Sequence, residues 1–391
     1  MMAVSNTSQY VISFTEEQNI IRESIKQFAE TEIVPHILEL DEKQEFPVDI
    51  MKKLGELGFL GILIPEKFCG AGLGYIEYAI IVEELAKYDP SISLSVAAHN
   101  GLCANHINVF GNDFQKEKYL KDLAQGKKIG AWALTEPGSG SDAAGMSTTA
   151  DRDGDHFVLN GTKSFITHGG VGETAVIIAI TNKENRKNGI SSFVVEKGTP
   201  GFEVGKKENK LGMRASETTQ LIFENCKVPA ENLLGNEGEG FIQAMKILEG
   251  GRISIAALSL GLAEGCLENS LKYSQERIQF NKPISSFQGI QFKLSDMATD
   301  IEAAKMFTFK SAWEKDNSAS SLNTAPMAKL FASEIATKAA NEAVQIFGGY
   351  GFVKDYPVEK FYRDVKLLTI GEGTSEVQRI VIARNLLKSL G

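Results

Sequence analysis

A glutamate flanked by glycines, in Ile370-Gly371-Glu372-Gly373-Thr374-Ser375-Glu376, can accept a proton from a substrate that comes close, because its neighbours carry no side chains. Taken alone, such a carboxylate reads as exposed loop surface. A second stretch, Ala131-Trp132-Ala133-Leu134-Thr135-Glu136-Pro137-Gly138-Ser139-Gly140-Ser141-Asp142, runs from a strand-like start into a small-residue loop. Its glycines let backbone approach a ligand, and Thr135 and Ser141 offer hydroxyl and amide donors. A flavin's pyrimidine edge and pyrophosphate would use such donors; a plain polar turn has the same composition. Arg277 could pair bidentately with phosphate oxygens, or be a solvated arginine at a helix end. The glycines of Gln345-Ile346-Phe347-Gly348-Gly349-Tyr350-Gly351 read first as a helix C-cap.

The elements that must position these residues change period twice. The first third is helical. Thr15 with Gln18 makes a capping box, and Ile21, Ile25 and Phe28 fall on one face, with Pro35 near that helix's end. Further helices are predicted over Val48–Leu57 and Ile76–Tyr88, the latter stopping at Asp89-Pro90. Between about Ile129 and Leu234 the pattern is strand-like. Phe157-Val158-Leu159 leads into Asn160-Gly161, a hairpin signal, and Ala175–Ile180, Ser192–Val195 and Leu221–Phe223 follow as strands of a mainly antiparallel barrel or sandwich. From Phe241 the helical period returns, with Leu260, Ala263, Leu267 and Leu271 on one stripe, then Ser295–Lys315 and Thr324–Ile346. The fold class is α+β multidomain: an N-terminal helical domain over 1–127, a middle β domain over 128–238 and a C-terminal helical bundle over 239–391.

Composition narrows the function classes. A chain of 391 residues, 43% hydrophobic, can bury a sizeable core. No apolar run approaches the roughly 18–20 residues that span a bilayer, so no membrane segment is expected. Met1–Ile12 lacks a leader's charge and apolar pattern, which points to a cytoplasm-like compartment, or a mitochondrial matrix if a transit peptide has been removed. The formal net charge of −9 argues against nucleic acid as a partner. Four widely spaced cysteines read as buried, reduced thiols, and five histidines without HxxxH pairing imply no metal site. Neither GxGxxG, GxxxxGK[ST] nor GxSxG is present.

Five segments, in order, resemble the acyl-CoA dehydrogenase family along nearly the whole chain: the Trp132–Asp142 loop, Lys163-Ser164-Phe165-Ile166-Thr167-His168, Arg277-Ile278-Gln279-Phe280-Asn281 with Gln288, the Gln345–Gly351 turn, and Gly371-Glu372-Gly373-Thr374. The resemblance implies FAD as cofactor. Trp132, Leu134, Thr135, Gly140 and Ser141 would meet it, with Phe165, where the family usually has tryptophan, covering the ring beside Ile166 and Thr167. His168 stands where asparagine is usual. Arg277, Phe280, Gln288, Gln345, Gly348 and Gly349 would reach the FAD of a neighbouring subunit, implying a homotetramer built as a dimer of dimers. Thr374 and Glu376 match further FAD positions.

By the same likeness Glu372 is the base that takes the α-proton of an acyl-CoA thioester while flavin accepts the β-hydride. Some relatives carry the base near Gly251, which is glycine here. Ser141, Glu249, Arg252 and Gly371 match substrate positions, and Ser95–Leu102 lies by the acyl tail, looking most like short-chain members. Gly371 replaces a frequent tyrosine and should leave volume beside the reacting carbons. Electrons would pass to an electron-transferring flavoprotein. The competing readings are an acyl-CoA oxidase that uses oxygen, and a non-catalytic flavin or CoA carrier of the same fold.

Overall fold

Thr15 opens the first helix as its spacing predicts: its hydroxyl accepts the Gln18 N–H at 3.2 Å while Gln18 Oε1 accepts the Thr15 N–H at 3.0 Å. Two otherwise orphaned donors are thereby satisfied. The structure is a computed structural model describing residues 13–185, 188–317 and 321–388, so the Met1–Ile12 stretch read for a leader lies outside it. Helix α1 spans Glu16–Phe28 and buries Ile25 and Phe28. Pro35 does not end the helical path. It sits in a short turn, Val34–His36, between a π-turn and α2 (Ile37–Lys43). Then come α3 (Val48–Glu56), α4 (Tyr75–Tyr88), α5 (Pro90–Ala97), α6 (Asn105–Phe110) and α7 (Asp113–Ala124). Asp89 both stops α4 and caps α5, its Oδ1 accepting the Ser91 and Ile92 N–H groups at 2.7 and 3.1 Å, with Pro90 at the first helical position.

The middle of the chain folds into one eight-stranded mixed sheet. Its strands are β1 (Gly130–Ala133), β2 (Thr149–Asp153), β3 (His156–Thr167), β4 (Thr174–Ile180), β5 (Ile190–Glu196), β6 (Phe202–Lys207), β7 (Thr218–Pro229) and β8 (Leu233–Leu234). The order is β6-β7-β3-β2-β4-β5-β8, with β1 parallel to β4. Antiparallel pairs dominate, and β1 and the start of β2 run parallel to β4. Asn160-Gly161 is not a hairpin turn. β3 runs straight through it as a bulge against β7, and Gly161, at φ 146°, has Thr148 where a Cβ would sit. The real turn is Gly154-Asp155, where left-handed Gly154 brings Asp153 opposite His156.

The C-terminal bundle is built on α8 (Gly240–Glu276), a 37-residue helix flanked by α9 (Gln288–Asp316) and α10 (Thr324–Phe347); α11 (Pro357–Asp364) and α12 (Ser375–Lys388) complete it. Of the stripe read on α8, Leu260 and Ala263 are buried and Leu271 is 39% exposed. Gly261 lets α8 press against the Glu83 carbonyl of α4. A charge knot ties the parts together. Arg363 Nη2 pairs with Asp41 at 2.7 Å, Asp364 Oδ1 accepts the Met213 N–H at 2.5 Å, and Lys360 pairs with Asp364 and Asp89 at 2.6 and 3.4 Å. No helix among the described residues is long and apolar enough to cross a membrane. Of the cysteines, Cys69 is exposed, contrary to expectation, because it closes a short turn in a left-handed conformation; the other three are buried.

Candidate active site

Glu372 occupies the corner between a short helical turn and α12. Its φ is 52° and that of Gly373 is 91°, two left-handed residues in succession, which costs a glutamate about 1–2 kcal/mol unless neighbours hold it. The corner aims the carboxylate into the protein. Glu372 is half-buried as a residue, yet its Oε2 is sealed from solvent and has no hydrogen-bond partner. Burial raises its pKa to about 7, against the opposing pull of Lys329 and Arg252. Among the described residues its peptide N–H meets no protein acceptor.

Opposite the carboxylate lies α8. A Cβ at Gly251 would fall on Glu372 Oε2 and 2.7 Å from its Cδ. The glycine pair Gly250-Gly251 thus makes room for the acid on one side and for the Tyr75 hydroxyl on the other. Tyr78, fully buried, donates to the Ala97 carbonyl at 2.7 Å and abuts Gly101, which brings the Ser95–Leu102 segment against the ring beside the acid. At Gly371, a Cβ would meet Leu367 at 3.5–3.7 Å, so Leu367 already fills part of the volume expected there.

Gly251→Ala tests this packing. Alanine favours the helix by about 1 kcal/mol, and the atom it strikes is the movable end of a side chain. The melting temperature should hold or rise; if Glu372 is a reacting group, turnover should fall by about 10²-fold, because small displacements of such a group cost that much. Wild-type turnover in a stable Gly251→Ala protein would mean that the carboxylate is free to work from elsewhere.

The small-residue loop is folded around a buried ion pair. Glu136 accepts from Lys163 Nζ at 2.8 Å, from both the N–H and hydroxyl of Ser147 at 2.6 Å, and from the Thr148 N–H at 3.0 Å. Lys163 also donates to the Leu134 carbonyl at 3.1 Å, and the Ser164 N–H to the Thr135 carbonyl at 2.9 Å. Leu134 and Thr135 are thereby tied to the Lys163-Ser164 stretch that leads into Phe165, Ile166 and Thr167. Phe165 stands at φ 59° and is 64% exposed, an aromatic face offered outward where the β3–β7 register slips. Cβ atoms at Gly138 and Gly140 would meet nothing, and among the described residues the Thr135, Ser141 and Thr167 hydroxyls have no protein partner. Trp132, half-buried, has its indole N–H committed to His106 Nδ1 at 2.9 Å. His168 is structural, its Nδ1 donating to the Gly130 carbonyl at 3.0 Å, with burial lowering its pKa to about 3.

A separate cluster joins the ends of α8 and α10. Arg277 lies over the Tyr350 ring at 5.3 Å, Tyr273 stacks on Phe347 at 4.0 Å, and left-handed Gly348 ends α10. Gln288, Gln345, Gly349 and Phe280 are exposed there, Phe280 at 86%. Thr374 caps α12, its hydroxyl accepting the Val377 N–H at 3.3 Å, with Glu376 exposed beside it. Glu249 is held by Lys315 at 3.3 Å and by the Ser321 hydroxyl, while Arg252 keeps a buried Nε without a partner. Lys329, which sequence reasoning passed over, is fully buried and donates to the Gly373 carbonyl at 2.8 Å. Among the described residues no group of three or more His, Cys, Asp or Glu could hold a metal ion.

Three family models match the chain in order: the acyl-CoA dehydrogenase N-terminal domain over residues 15–127, its middle domain over 131–226 and its C-terminal domain over 238–387. The short-chain specific acyl-CoA dehydrogenase of Clostridium acetobutylicum is 46% identical over 376 residues, 96% of this chain and 99% of that one. Butyryl-CoA dehydrogenase from Megasphaera elsdenii superposes with a TM-score of 0.95 at 43% identity, covering 97% of this chain and 100% of its own. A chain solved in work on the electron transferring flavoprotein of Acidaminococcus fermentans and flavin-based electron bifurcation gives 0.95 at 46%, with coverage of 97% and 100%.

Proposed function

The chain belongs to the acyl-CoA dehydrogenase family, and we propose on that footing that it desaturates a short-chain acyl-CoA between Cα and Cβ, with Glu372 as the base. The carrying observation is the Glu372 carboxyl: aimed inward, sealed, unpartnered at Oε2, and poised near neutrality. Short-chain substrates are supported by the Clostridium and Megasphaera relatives.

FAD is the cofactor, and the site's residues fit it. The open glycines and unpartnered hydroxyls of the Thr135–Ser141 loop suit its polar edge, and the outward face of Phe165 suits its ring. Leu134, Thr135, Gly140, Ser141, Phe165, Ile166 and Thr167 would hold it, with Thr374 and Glu376. Arg277, Phe280, Gln288, Gln345, Gly348 and Gly349 would close over the cofactor of a neighbouring subunit in a tetramer, the Arg277 guanidinium pairing with pyrophosphate. Bound FAD supplies the acceptor for the β-hydride, and electrons then leave to an electron-transferring flavoprotein.

The protein's own part is acid–base and electrostatic. The Glu372 carboxylate takes the α-proton, a transfer helped by burial, which strengthens the base. The free Glu372 N–H donates to the thioester carbonyl as it becomes enolate-like, an oxyanion-hole role. Glu249 and Arg252 line the acyl and CoA side, and Tyr78 with Ala97 walls out water. Glu372 must be ionised to act, so turnover should rise with pH through an apparent pKa of about 7 and then level off. Flavin reduction by butyryl-CoA, followed without oxygen across that range, checks it; a flat profile would remove Glu372 as the titrating base. Oxygen uptake with acyl-CoA and no mediator would favour the oxidase reading instead.

A further inference from the structure

The left-handed corner that aims Glu372 needs something to hold it, and two side chains grip it from behind. Gln378 Nε2, on the same helix that the corner opens, donates to the Gly373 and Glu372 carbonyls at 2.9 and 3.2 Å. Lys329 reaches across from α10 and donates to the same Gly373 carbonyl at 2.8 Å. A lysine is an expensive choice for that contact. It is fully buried, on a face of α10 whose other buried residues are small and uncharged, Ala325, Ala332, Ser333 and Ala336 among them. A neutral amide could donate to one carbonyl without desolvating a charge. What a lysine adds is a positive charge behind the acid.

We propose that Lys329 is a positioning residue for the base: through the Gly373 carbonyl it fixes the corner that aims the Glu372 carboxylate, and its charge sets the field in which that carboxylate works. This rests on Glu372 being the base. The other groups facing Glu372 differ in kind. Arg252 on α8 contributes a second cation, offset by neighbouring Glu249, and Tyr78 on α4 is a phenol engaged with Ala97. Burial lowers the Lys329 pKa to about 8; Glu372 itself is the strongest influence favouring its charged form, Arg252 opposes it, and Glu376 of α12 and Glu334 of α10 add support from the far side. Lys329 is the larger of the two cationic influences on Glu372.

The test separates charge from shape in the FAD-loaded protein. A bound 3-oxoacyl-CoA has an acidic α-proton, so its deprotonation can be followed by enolate absorbance without turnover. Lys329→Met should move that transition to higher pH by roughly one unit or more. It should also lower turnover by about tenfold, with FAD content retained. Lys329→Arg, which keeps charge and donor, should return the transition toward its wild-type position. Lys329→Gln, which keeps a donor and drops the charge, is read in the same way as Lys329→Met should the latter fail to fold. Glu372→Gln distinguishes the two ideas. If that variant keeps the transition, Glu372 is not the group involved and the base reading falls. If it loses the transition while Lys329→Met and Lys329→Gln leave theirs unmoved, the base stands and the role of Lys329 is overturned.

Discussion

Glu372→Gln should lose about 10²–10⁴-fold in turnover while the protein stays yellow and keeps its affinity for acyl-CoA. The substitution preserves the volume facing Gly251 and the left-handed corner, and removes only basicity. In free-energy terms the loss is about 3–5 kcal/mol of transition-state stabilisation. No second carboxylate can substitute cheaply. Glu249 is committed to Lys315 and Ser321, and Glu376 is exposed at the start of α12. Removing a buried acid whose pKa burial has raised should leave stability near neutrality unchanged or improved, so lost folding cannot explain lost activity. Single-turnover flavin reduction with butyryl-CoA reads the effect. More than a tenth of the wild-type rate would end the assignment.

Lys163→Met should have the largest effect on stability, about 3–5 kcal/mol, because it leaves a buried carboxylate without its counter-ion. Burial by itself would raise the Glu136 pKa, but Lys163 and the Ser147 and Thr148 donors outweigh it and hold the group at about 2. Burial wins instead at Lys163, which is lowered to about 8. A carboxyl with a depressed folded-state pKa adds stability above its unfolded value. That contribution is lost as pH falls from about 4.5 towards 2. The variant should therefore melt roughly 10 °C lower at neutral pH and lose part of this acid sensitivity. FAD retention should fall with it, since the Leu134 carbonyl and the Thr135 segment lose their anchor. Adding Glu136→Gln removes the stranded charge and should recover much of the stability. A double variant no better than Lys163→Met would show that the lysine acts through packing alone.

Much of this architecture was legible because local pattern and tertiary role agree. The Thr15–Gln18 box, the apolar run at Ala175–Ile180 and the returning helical period after Phe241 each need only their own neighbours to be read. Asn160-Gly161 misled because the dipeptide that suits a two-residue turn also suits a bulge, and only Thr148, packed against Gly161, decides between them. The buried lysines were visible but unread. Lys329 interrupts an alanine stripe at helical spacing, and Lys163 sits in a strand beside buried Ser164. A charge on an apolar face says that a partner exists without saying which. Glu372 was found by likeness of motif. Its left-handed backbone, its sealed oxygen and its fit into Gly251 depend on residues far apart in the chain, which no local period encodes.

The volume shared by Gly251 and Glu372 also constrains how such a site can change over generations. A lineage moving its carboxylate from the loop to the helix cannot do so one codon at a time without loss. With Glu372 as the base, as proposed above, filling position 251 first crowds it, and trimming position 372 first leaves no acid in its place. Each ordering passes through a poor enzyme, so the exchange is accessible mainly where two replacements arise together or selection on the reaction is briefly relaxed. The glycine in the middle of the long helix thus acts as a historical lock, holding the choice of loop over helix in place.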